Sequence, residues 1–68
     1  MDIADVVRQI VTYTRVNYTA NQETTMEMQL NPEHLGKIYL EITSKDGTVS
    51  AHLTAQNEVV KEALESQI

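Results

Sequence analysis

Leu30-Asn31-Pro32-Glu33-His34-Leu35-Gly36 stands between two runs whose apolar residues fall at every second place. Leu30 closes the first run. Asn31 has the chemistry of an N-cap, Pro32 the fixed φ that suits the first position of a helical turn, and Gly36 the freedom for a left-handed exit. The stretch therefore reads as the end of a strand, one helical turn, a stop, and the start of a second strand.

Upstream of it, Met26, Met28 and Leu30 alternate with Thr25, Glu27 and Gln29, the period of a strand with one buried face. Downstream, Ile38, Leu40 and Ile42 alternate with Lys37, Tyr39, Glu41 and Thr43. Asp46-Gly47 then supplies the positive backbone angles of a tight hairpin. The third run turns Val49, Ala51 and Leu53 inward and Thr48, Ser50, His52 and Thr54 outward. With Asp46 and Gly47 at the centre of the turn, Lys45 faces Thr48, Thr43 faces Ser50, Glu41 faces His52 and Leu40 faces Leu53. A slip by one residue would carry Ile38, Leu40 and Ile42 into water, so burial and turn chemistry select the same register.

Helical periods flank the strands. Ile3, Val6, Val7, Ile10 and Val11 share a face that continues to Thr14, with Asp2 as cap and Asp5 in the first turn. This helix is expected to end near Tyr18, with Asn17 to Asn21 as its exit. At the other end, Asn57 caps a second helix whose face carries Val60, Ala63, Leu64 and Ile68, opposite Lys61, Glu62 and Glu65. No Gly or Asn terminates that helix before Ile68, so the sequence reads as a fragment of a longer domain.

The fold class is α+β: a small, mainly antiparallel three-stranded sheet with a helix at each end and a helical turn between strands 1 and 2. Met28, Leu30, Ile38, Leu40, Ile42, Val49 and Leu53 are expected to face the helices. At 68 residues the chain is one domain, and a domain of that size buries only about 60% of the surface its unfolded form exposes. There is no cysteine, so neither a disulfide nor a thiolate site supplements the core.

Composition also narrows function. A net charge of -5 with five basic residues argues against binding nucleic-acid phosphates. No apolar run approaches the roughly 20 residues of a membrane span, and no basic then apolar signal sequence opens the chain. His34 and His52 come without the further donors a metal site needs, and no cofactor is implied. Ser44, Ser50 and Ser66 lack the glycine elbow of a nucleophilic serine, and Gly36 and Gly47 alone make no phosphate loop. Tyr13, Tyr18 and Tyr39 read as covers at the edge of the core, and Met26 and Met28 as core filler. Nothing points to an enzyme.

The ordered pattern resembles the C-terminal domain of flagellar hook-length control proteins, in which a Leu-x-Pro-x-x-Leu-Gly segment leads into a strand hairpin and a helix. Here Leu30, Pro32, Leu35 and Gly36 match that motif, Met26 to Ala55 look like the strand, turn and hairpin, and Glu58 to Leu64 resemble the following helix. The helix from Ile3 resembles the segment upstream of the domain. The resemblance implies residues 1–20 as a leading helix and residues 21–68 as a hook-length control core, truncated before its last helical part and strand. An exposed sheet edge, and with it a homo-oligomer of the fragment, is then expected.

It also implies a bacterial cytoplasmic protein that is exported through the flagellar type III apparatus and triggers the switch from hook to filament subunits. The partner is the cytoplasmic domain of the membrane export-switch protein, and the domain itself neither catalyses a reaction nor inserts into the membrane. The residues assigned to partner binding are Leu30, Pro32, Leu35 and Gly36 of the motif, Ile38 and Leu40 of the following run, and the exposed Glu33 and His34. Two other readings stay open: a small-molecule-binding regulatory domain and a structural oligomerisation module.

Overall fold

In a computed structural model, residues 1–20 and 22–67 are described; the expectations that Asn21 belongs to the exit of the first helix and Ile68 to the face of the second lie outside the described residues. The order is α1 (Ile3–Asn17), β1 (Thr24–Gln29), a 3-10 turn (Glu33–Leu35), β2 (Lys37–Lys45), β3 (Thr48–Ala55) and α2 (Glu58–Glu65). The strands form one antiparallel sheet in the order β1-β2-β3. This is the α+β arrangement expected from the periodicities.

Local chemistry explains the element ends. The Asp2 carboxylate accepts the Ala4 N–H at the start of α1, and Asn57 Oδ1 accepts the Val59 and Val60 N–H groups at the start of α2. At the hairpin, Asp46 and Gly47 have φ of 52° and 79°, the pair of positive angles that a type I′ turn requires. The register follows: Lys45 pairs with Thr48, Thr43 with Ser50, Glu41 with His52 and Leu40 with Leu53.

The core gathers Met26, Met28 and Leu30 at the first strand, Leu35 from the 3-10 turn, and Ile38, Leu40 and Ile42 from β2. Val6 and Ile10 close it from α1 and Val60 from α2, while Tyr13, Tyr18 and Leu64 pack at its margin. Leu30, Ile38 and Val60 are completely inaccessible to solvent.

Two expectations need correction. Val49 and Leu53 do lie on the helix-facing side, opposite Ser44 and Leu40, yet they are 60% and 42% exposed rather than buried. The reason is helix length. The eight residues of α2 span about 12 Å. The helix starts directly after β3 ends, so it covers the Ala55 end and leaves the Val49 end bare. The second correction concerns Pro32, which is not inside the helical turn. Its ψ of 158° is extended, so Pro32 itself occupies the capping position and Asn31 stands one residue further out. The Asn31–Pro32 peptide is cis.

Candidate functional site

The Pro corner is closed by three main-chain hydrogen bonds. The Leu30 N–H donates to Gly36 O, the Leu35 N–H to Pro32 O, and the Gly36 N–H to Glu33 O, each at 3.0 Å. Gly36 leaves the corner with φ 80° and ψ -162°, a region open essentially only to glycine. A Cβ there would also stand 3.1 Å from Gln56 Oε1.

Side-chain amides hold the corner from outside. Gln29 Nε2 lies within 3.0 to 3.1 Å of the carbonyls of Leu30, Glu33 and Gly36, sharing two N–H donors among three acceptors. From α1, Gln9 grips Asn31 at both polar ends: Oε1 accepts the Asn31 N–H at 2.8 Å and Nε2 donates to Asn31 O at 2.7 Å. Beyond β3, Gln56 Oε1 accepts the Lys37 N–H and Asn57 Nδ2 donates to His34 O. Four amides, one from α1, one from β1 and two from the link between β3 and α2, thus fix one turn.

This frame sorts the eight residues singled out from the sequence. Leu30, Leu35, Ile38 and Leu40 are core side chains. Gly36 is half-buried, and Pro32, Glu33 and His34 are exposed side by side on the rim. The structure therefore gathers Leu30 to Gly36 at one corner, carries Ile38 and Leu40 on along β2, and divides the eight into hidden core residues and an exposed edge. What the sequence reading missed is the amide collar. In sequence Gln29 reads as an outward strand residue and Asn57 as a helix cap; Gln9 and Gln56 carry no local signal at all.

On the open face of the sheet, Lys37 Nζ meets Glu27 Oε1 at 2.8 Å, both about half exposed. The hydrogen bond to Glu27, and then its charge, hold the Lys37 amine above its ordinary range. Among the described residues no cluster of His, Asp or Glu is arranged to hold a metal ion, and no helix is long and apolar enough to cross a membrane.

A family model described as flagellar hook-length control protein FliK matches residues 14–68. The chain belongs to the FliK hook-length control family. The match takes in the whole Pro corner, the sheet and α2, and begins inside α1, after Gln9. No curated protein and no solved structure gave a match. The FliK family is a regulatory family of hook-length control and not an enzyme family.

Proposed function

We propose that this domain triggers the export switch of flagellar assembly by protein contact, engaging the cytoplasmic domain of the membrane export-switch protein so that hook subunits give way to filament subunits. The reading places the domain in the bacterial cytoplasm when it acts, with the rest of its life as cargo of the flagellar type III apparatus. The observation that carries it is membership of the FliK family over residues 14–68, a span that contains the corner with its exposed Pro32, Glu33 and His34.

In this proposal Pro32, Glu33 and His34 make the contact, on a turn already fixed by Gln9, Gln29, Gln56 and Asn57. Leu30, Leu35, Ile38 and Leu40 act from beneath by holding that turn in shape, and Gly36 sets its exit. Preorganisation of this kind lowers the ordering cost of binding. Isothermal titration of the folded domain with the cytoplasmic domain of the switch protein tests the reading. Saturable binding is expected; the absence of both heat and any change in mass on mixing, with both domains folded, contradicts it.

A further inference from the structure

Few groups hold α1 to the rest of the domain. Of the buried core side chains only Val6 and Ile10 come from it; the others belong to the sheet, the Pro corner and α2. Among the described residues two side chains make its polar ties to the sheet side: Gln9 on the main chain of Asn31, and the Tyr13 hydroxyl, which donates to Glu27 O at 2.9 Å. The Leu30 N–H bonds inward to Gly36 O, so by the alternation of an antiparallel strand Glu27 and Asn31 point their main-chain groups outward. Gln9 and Tyr13 thus close the outer edge of β1. Beneath them a cleft of about 450 Å³ lies between the two elements, lined by Thr12, Val16, Met28 and Gln29 among others.

The helix is also weak by composition. More than half of its 15 residues are β-branched, and from Ile10 to Val16 only Tyr13 and Arg15 are not. Such side chains lose rotamer freedom in a helix and favour strands. Burial does not compensate at Val7, Val11 and Val16, the last of which is 78% exposed. The Thr14 hydroxyl bonds back to Ile10 O, a contact that weakens a helix slightly. The family match begins at residue 14, so Val6, Gln9, Ile10 and Tyr13 all stand outside the matched span.

We propose that α1 is a releasable strap: it opens while the sheet and α2 stay folded, and its docking controls the Pro corner. Docked, Gln9 holds Asn31 beside Pro32, and Tyr13 closes the β1 edge. Open, Asn31 loses both bonds, the outward groups of β1 turn to water, and Pro32, Glu33 and His34 lose their support from the α1 side. A partner that needs the ordered corner binds the docked form and draws α1 onto the sheet. That consequence for recognition rests on the proposed function, whereas the opening itself does not.

Hydrogen exchange of the full chain tests the opening. Amides in the middle of α1 and the amide of Asn31, whose acceptor is Gln9, should exchange together, on the order of 100-fold faster than amides in the middle of β2. Rising urea should accelerate them with a smaller slope than the β2 amides. Val11→Pro, at an exposed position, should remove the helix and leave the cross-strand contacts of β2 and β3 in NMR spectra. Its affinity for the cytoplasmic domain of the switch protein should fall at least about tenfold, because the corner must then be ordered on binding. One common exchange rate across α1, Asn31 and β2 overturns the proposal, as does loss of the sheet in Val11→Pro. Unchanged affinity in a Val11→Pro chain whose sheet is folded overturns the control of the corner. If the parent chain does not bind, the proposed recognition fails instead, and the exchange measurement, which needs no partner, decides whether α1 is a strap.

Discussion

Gln9 and Asn31, 22 positions apart in sequence, are joined by two hydrogen bonds of 2.7 and 2.8 Å between one side-chain amide and one residue's main chain. The pair ties the leading helix to the Pro corner. Buried packing positions α1 over the sheet through Val6 and Ile10, and Gln9 converts that position into a fixed height for the turn.

Gln9→Ala is accordingly expected to loosen the corner without unfolding the domain. Both bonds are exposed, so the loss should be about 1 kcal/mol in urea unfolding, at the lower end of what two hydrogen bonds contribute. The Asn31 amide should lose protection in hydrogen exchange, while amides in the middle of β2 keep theirs to within the global change. Equal loss of protection across the sheet would show that the clamp has a different role.

Gly36→Ala should cost about 1 to 3 kcal/mol, since φ of 80° with ψ of -162° is strained for any residue with a Cβ, and Gln56 Oε1 must also give way. In a 68-residue domain that is a large part of total stability, and the urea midpoint should fall accordingly. Gly47→Ala meets no neighbouring atom and should cost less, so the order of the two midpoints checks the account.

The floor and the rim of the corner should separate on mutation. Leu30→Ala or Ile38→Ala, at fully buried positions, is expected to destabilise by about 2 to 5 kcal/mol through the cavity left behind. Glu33→Ala and His34→Ala, at exposed positions, should change stability by no more than about 0.5 kcal/mol. Thermal melts of the four variants give the comparison, and comparable melting for both classes would refute the division.

The Lys37 amine is raised by its hydrogen bond to Glu27 and by that charge, so its folded pKa lies above its unfolded one. The pair's contribution to stability is therefore fully present below about pH 10, near the unfolded lysine value, and is lost as pH rises through the folded pKa. Since both groups are half exposed, the effect is small and screened by salt. In Glu27→Gln, NMR titration should find the Lys37 amine ionising at lower pH than in the parent; an unchanged midpoint would assign the shift to another cause.

Much of this was legible in the chain because the signals were local. Alternation placed Met28, Leu30, Ile38 and Leu40 on one face, Asp46-Gly47 set the hairpin, and both helix caps were foreseen from Asp2 and Asn57. Val49 and Leu53 show where such reading stops. Alternation tells which face a side chain joins, whereas its burial depends on how far a helix reaches, and α2 is too short. The displacement of Pro32 by one place depended on its extended ψ, which proline does not fix. The amide collar was invisible for another reason: Gln9, Gln29 and Gln56 meet their partners only after the sheet and α1 have packed, and a glutamine has no spacing rule that announces such contacts.

In the proposed function the exposed rim of the Pro corner recognises the switch protein. Titrating that protein's unlabelled cytoplasmic domain into the ¹⁵N-labelled chain, and following backbone amide shifts, tests it most directly. The predicted result is a saturable change concentrated at residues 33–36 and at the Gln29 and Asn57 side-chain amides, abolished in the folded Glu33→Ala, His34→Ala double variant. Shifts confined to β3 and α2, or none at saturating partner, would contradict it.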